Sequence, residues 1–533
     1  MRRPLFIALA LSLALPGAAS AHAQLDGTTP ARGAQLDRGP ARVVFRFSEN
    51  VTAGSGSVRV FDGRGREVQD GSPETDGTRV SVRLPGDLPD GGYTATYRVI
   101  SADSHPVSGG FSFSVGAGGP GPQSVDRLLE ASASGPVTAT ALGAARAVQY
   151  AAITLAVGTL LLLLGLWPAG FEAVRPVFAA RCARLLVGAA AAGAVSGVAG
   201  ILLERAQADA TLGEVLGTRF GVTWGVGVVA WPALAALRRS RLAVLPVAWL
   251  CLLPALGGHA GSEGWLMFGA NVVHVVAIAG WIGGLAVLVL ALRGATGALP
   301  AEHRTSLLAG TLGRFSAFAG VAVAVILATG IVQSVVELSA WRELVHTGYG
   351  RAVLVKLGLF AVLLGFGAVN RRRILPALRT AAAAGAAPGR VGVLLRRSLR
   401  LELAVGIVVL GVTGALATYA PGKVSDTGPV SESAVLGPAR LELTVDPARV
   451  GANEVHLYLF ERRSGAQWDR AKELTATAER GALELPVDLR KAGPGHYVAA
   501  QATLPRRGTW TLAVSARVSA FDEYVAKVKV PVR

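Results

Sequence analysis

Charge and sulfur are scarce in this 533-residue chain: charged residues make up 16% of it, and it holds two cysteines and two methionines. So little charge against 51% hydrophobic residues and a mean hydropathy of +0.46 excludes an ordinary soluble protein and fits several membrane spans. Cys182 and Cys251 lie in or beside apolar runs, which argues against a disulfide framework and leaves both as small apolar helix residues. Acidic residues are the rarer sign, 35 against 52 Lys and Arg, a formal charge of +17. That excess does not mark a nucleic-acid binder, because the arginines gather in short loops between apolar runs, as the positive-inside bias requires. There is no internal repeat, and the length exceeds one ordinary domain.

Residues 1–21 read as a secretory signal: Arg2 and Arg3, an apolar stretch from Leu5 to Leu15, and the small-residue cleavage motif Ala19-Ser20-Ala21. Cleavage after Ala21 makes His22 the first residue of the mature chain, with a free α-amine beside its imidazole. The amine and Nδ1 can chelate one metal ion together, and nitrogen-rich tetragonal sets suit Cu(II). A mid-chain histidine lacks that pair.

Residues 22–116 alternate apolar and polar positions in short runs, as in Ala41 to Phe47 and Ser57 to Phe61, with turn signals at Asp62-Gly63 and Pro89 to Gly92. This is the pattern of a small, Ig-like β-sandwich or barrel. A Gly/Pro/Ser-rich stretch at 117–136 reads as a flexible linker. Residues 137–420 hold eight apolar stretches, near 146–167, 182–203, 221–237, 242–258, 266–292, 308–334, 351–370 and 400–420. A span needs about 20 residues at 1.5 Å rise. With the N-terminal domain exported, the inner loops carry Arg175 and Arg181, Arg238, Arg239 and Arg241, Arg293 and Arg304, and Arg371 to Arg373 with Arg379, Arg390, Arg396 and Arg397. The outer loops hold Glu204, Asp209, Glu214, Glu263, Glu337 and Glu343, and an even number of spans returns the C-terminus outside. After a linker at 421–436, residues 437–533 alternate again as a second, small β-sandwich. The expected fold class is a multi-domain membrane protein: an all-β sandwich, an all-α polytopic bundle and a C-terminal β-sandwich.

Two constellations can carry chemistry. In the first, Asp103 and His105 are spaced i, i+2, so an extended backbone points both to one face. With His22 they supply three nitrogens and one oxygen, a tetragonal Cu(II) set. The alternative is that Asp103 caps a turn and His105 is a surface residue before Pro106. In the second, His259 ends the fourth span, His274 lies about two turns into the fifth, His346 precedes the seventh, and Met267 sits near the same outer mouth. Ionisable residues inside spans are costly and are functional candidates, and a thioether suits Cu(I). The alternative makes His259 and His346 interfacial residues and lets His274 hydrogen-bond a neighbouring helix. Gly280, Gly283 and Gly284 beside Trp281 read as sites of close helix approach. Lys356, inside the seventh span, reads as a pairing or snorkelling lysine, and His456 and His496 read as surface residues.

Residues 22–115 resemble CopC, the exported copper-binding β-sandwich. The likeness rests on His22-Ala-Gln-Leu25, Thr29-Pro-Ala-Arg-Gly-Ala34, Phe45-Arg-Phe-Ser-Glu-Asn-Val51, Gly92-Tyr-Thr-Ala-Thr-Tyr97 and Val99 to Gly110. The resemblance implies that His22, Asp103 and His105 are Cu(II) ligands. Some relatives carry a second, Met-rich Cu(I) site, for which this chain lacks the residues. Residues 140–420 resemble CopD, on His274 to Gly284, Thr347 to Lys356 and Asn370-Arg371. That resemblance implies copper movement across the cytoplasmic (inner) membrane, inward, and favours His274 as a participant.

The resulting expectation is a multi-pass protein of the lipid bilayer, with both β-domains outside, that captures Cu(II) and imports copper without catalysing a reaction. Envelope copper chaperones or cuproenzymes are expected partners, and nucleic acid is not. One alternative is sequestration, or delivery to cuproenzymes, without transport. Others are an oxidative copper enzyme, disfavoured by Asp103 beside His105, and a haem-binding redox protein with histidines at one membrane face only.

Overall fold

The computed structural model describes residues 23, 25–101, 106–116, 120–123, 125, 128–129, 136–258, 264–297, 299–337, 343–346, 348–416, 430–464, 466–519 and 521–532. The expected signal and its cleavage site lie outside the described residues. The chain divides into two compact units. One holds Gly143–Val198 and Thr223–Lys423, and the other His22–Leu142, Ala199–Val222 and Val424–Arg533.

The N-terminal sandwich is built from β1 (Leu25–Thr29), β2 (Gln35–Leu36), β3 (Arg42–Phe47), β4 (Val51–Asp62), β5 (Asp70–Asp76), β6 (Arg79–Arg83), β7 (Gly91–Ser101) and β8 (Pro106–Val115). Its two sheets run β1-β3-β6-β5 and β2-β8-β7-β4. Strand β3 shows why: Val43, Phe45 and Phe47 are buried while Arg42 and Arg46 face out, the period-2 alternation of a half-buried strand. The inward rings interlock, with Phe45 5.1 Å from Tyr97 and 5.5 Å from Phe111 between centroids. Each such ring removed from water contributes roughly 1.5–3 kcal/mol.

Within the stretch expected as a linker at 117–136, Pro120 and Gln123 bond to β7. The Gly92 amide donates to the Pro120 carbonyl at 2.7 Å, and the Thr94 hydroxyl donates to the Gln123 carbonyl at 2.7 Å. Proline and glycine there mark a chain that hydrogen-bonds along β7 without forming a ladder.

The helical region comprises α1 (Pro136–Leu160), α2 (Arg175–Ala208), α3 (Arg219–Leu237), α4 (Val244–Leu256), α5 (Trp265–Val287), α6 (Ala301–Glu337), α7 (Gly348–Val369) and α8 (Gly389–Leu416), with shorter helices between them. Among the described residues six helices, not eight, are long and apolar enough to cross a membrane: Thr140–Leu166, Glu172–Ala208, Arg219–Leu237, Trp265–Leu292, Ala301–Val336 and Gly350–Ala383. The fourth expected span is the shorter helix Arg241–Leu256. The last, expected at 400–420, begins on α8 and continues beyond the described residues at 416. Helices α1 and α5 touch backbone to backbone, because a Cβ at Gly283 would overlap the Thr154 carbonyl and one at Gly158 would overlap Gly283. Small residues permit this approach.

The C-terminal sandwich pairs the sheets β14-β15-β11-β10-β9 and β13-β12-β16-β17. The strands are β9 (Val430–Leu436), β10 (Ala439–Asp446), β11 (Gly451–Glu461), β12 (Glu473–Arg480), β13 (Leu483–Val487), β14 (Arg490–Gly493), β15 (His496–Leu504), β16 (Gly508–Arg517) and β17 (Glu523–Val532). Strand β9 lies within the stretch expected as a linker. It pairs with β10 from Val430↔Val445 to Leu436↔Ala439 and buries both end residues. Its polar centre, Ser431-Glu432-Ser433, hid the strand from hydropathy.

Candidate metal centre

His22, Asp103 and His105 lie outside the described residues, but their neighbours are placed. The Ala23 amide donates to Ser101 Oγ at 3.3 Å in a buried setting, and the Ser101 hydroxyl donates to the Glu49 carboxylate. Ala23 itself is buried. Ala23 is therefore held beside the end of β7, at the residue that stands two before Asp103 in the sequence. Strand β1 continues away from this point, paired with β3 from Leu25↔Phe47. Ser101 and Glu49 were not singled out in the sequence, because neither carries a local signal of bonds that reach 78 residues back to Ala23 and 52 residues between the two.

In the helical unit, His274 lies on α5, partly buried, with Nδ1 2.8 Å from Thr329 Oγ1 on α6. One turn away Asn271 Nδ2 donates to Gln333 Oε1 at 3.5 Å. Asn271, Thr329 and Gln333 were missed, although polar residues inside apolar spans are a legible signal. Met267 is buried two turns before His274 on the same helix face, beside Ala255. His259 lies outside the described residues. His346 ends the short helix Glu343–His346. Among the described residues, no three His, Cys, Asp or Glu side chains converge as a metal site.

His456 and His496 are not surface residues. Strand β11 pairs with β15 so that Tyr458 faces His496, which brings the two imidazoles together with Nδ1 of His456 3.3 Å from Nε2 of His496. They are 5% and 8% exposed, and Tyr458 lies parallel to His496 at 4.1 Å between centroids. Burial pushes His496 down to about 3, helped by the neighbouring His456. Burial also lowers His456, while Glu454, 3.2 Å from its Nε2, pulls it back up. Gly33 of the N-terminal sandwich covers the pair. Its φ is +66°, and a Cβ there would stand 2.9 Å from His456 Cε1.

Residues 25–116 match the CopC domain family, and residues 309–416 match the family of copper resistance protein D. Copper resistance protein C of Pseudomonas syringae pv. tomato is 30% identical over 128 residues, covering 22% of this chain and 98% of that protein. The chain belongs to the CopC family. A CopD domain follows in the same polypeptide. The copper transport protein CutJ of Bacillus subtilis (strain 168) is 28% identical over 562 residues, covering 96% of this chain and 95% of that protein. Copper resistance protein D of Pseudomonas syringae pv. tomato is 29% identical over 219 residues, covering 38% of this chain and 69% of that protein. The chain is thus a membrane protein of the copper transport and resistance group, with copper as its metal.

Proposed function

We propose that the CopC domain captures Cu(II) outside the cytoplasm through the α-amine and imidazole of His22, the Asp103 carboxylate and the His105 imidazole, and that the CopD domain carries copper inward across the cytoplasmic membrane. The observation that supports the capture site is the bond from the Ala23 amide to Ser101 Oγ, which joins the residue that follows His22 in the chain to the residue two before Asp103. Three nitrogens and one carboxylate oxygen form a tetragonal set suited to Cu(II). The similarity to a copper transport protein over nearly the whole chain supports transport.

His274 and Met267, with His259 and His346 near the outer mouth, form the path through the membrane domain. A thioether favours Cu(I), the state in which Met267 would hold copper. The α2–α3 connection bears on topology. The Arg59 guanidinium of β4 pairs with the Asp209 carboxylate, and Arg98 of β7 donates to the Gln207 carbonyl at 3.4 Å. This supports an outer position for that connection, and with it an exported N-terminal domain. No bond is made or broken in this reading, so the protein is a carrier rather than an enzyme.

The test is mass-spectrometric identification of the mature N-terminus, then Cu(II) titration with EPR and radiocopper flux in vesicles. The expected outcome is a chain starting at His22 that binds one tetragonal Cu(II) with nitrogen hyperfine structure and carries copper inward. An uncleaved N-terminus, or no Cu(II) binding at micromolar concentration, removes the capture site. Binding without flux leaves sequestration or delivery to envelope cuproenzymes.

A further inference from the structure

We propose that Thr329 is a positioning residue for copper transfer: it holds the His274 imidazole as the Nδ1–H tautomer and leaves Nε2 as the metal-accepting atom. The argument is a count of hydrogens. Thr329 Oγ1 lies 2.7 Å from the Val325 carbonyl and 3.2 Å from the Ile326 carbonyl, and carbonyls only accept. The single hydroxyl hydrogen is therefore committed back along α6, in the i−4 bond that threonine makes inside helices. His274 Nδ1 stands 2.8 Å from the same oxygen, and one hydrogen must lie between them. The ring supplies it. A neutral imidazole has only one N–H, so Nε2 keeps its lone pair.

This is the logic by which outer hydrogen bonds orient a metal-binding histidine and set its tautomer. The surroundings suit a transfer point rather than plain packing. Asn271, one turn before His274, and Gln333, one turn after Thr329, bond each other across α5 and α6. Asn271 Oδ1 and Gln333 Nε2 are buried with no partner among the described residues. An apolar helix contact would not leave an acceptor and a donor stranded in a membrane span.

The inference rests on His274 carrying copper, and two independent readouts separate the claims. The first is nitrogen-15 NMR of the full-length chain in bilayers, with the His274 signal identified by its loss in H274N. Wild type is expected to show Nδ1–H. T329V is expected to move the proton toward Nε2, and T329S to restore it. The second is radiocopper flux in proteoliposomes, which T329V is expected to lower by about tenfold or more and T329S to recover. An Nε2–H signal in wild type, or an unchanged tautomer in T329V, overturns the proposal. A flux that H274N abolishes and T329V leaves intact overturns the positioning role alone. A flux that H274N leaves intact overturns the reading of His274 on which it rests.

Discussion

Acid should loosen the C-terminal sandwich through a histidine pair that the fold buries. His456 Nε2 donates to the Glu454 carboxylate, so His456 Nδ1 accepts the proton of His496 Nε2, and both rings are neutral in the folded chain. Burial lowers His496 from 6.5 to about 3. A base whose folded value is depressed stabilises the fold fully above 6.5, and that stability is lost as pH falls from 6.5 toward 3. At pH 5 the solution has moved 6.5 − 5 = 1.5 units below the unfolded value, and each unit is about 1.36 kcal/mol, so His496 alone costs about 2 kcal/mol. His456 shifts in the same direction and adds to the effect, and the Arg32 charge disfavours protonation further. The assay is native-state hydrogen exchange of the full chain, reading opening free energies for β11 and β15 after correction for intrinsic exchange. The wild-type value should fall by at least about 2 kcal/mol between pH 7.5 and 5, while H496Q should lose the His496 share of that slope. Opening energies that stay constant or rise on acidification, or an H496Q slope equal to wild type, would refute the reasoning.

Three other perturbations follow from the same geometry. Ser101→Ala strands the buried Ala23 amide at a cost of about 1–3 kcal/mol, and a competition titration should show Cu(II) bound roughly tenfold more weakly. Unchanged affinity would mean that the pin does not shape the site. Gly283→Leu drives a side chain into the Thr154 carbonyl, and rigid overpacking of this kind costs about 1–3 kcal/mol or more. The purified variant should melt earlier in detergent, whereas wild-type melting would argue that α1 and α5 can separate freely. Gly33→Val puts a β-branched residue at φ +66° against His456, and should raise hydrogen exchange in both β8 and β11. An effect confined to the turn would show that the contact is passive.

What the chain alone determines is local. The period-2 runs of both sandwiches and the long apolar helices can each be read within a few to about twenty residues, because each follows from backbone periodicity. The misjudged features are those whose neighbours are distant. Strand β9 looks polar until its pairing with β10 is seen, and α4 looks like a full span until its helix ends are placed. Histidines 40 residues apart look like surface residues until β11 pairs with β15 and buries them under Gly33. Likewise Ser101 gains its meaning from Ala23, and Thr329 from His274. Hydrogen-bond partners and burial belong to pairs of surfaces, and only the tertiary fold decides which surfaces meet.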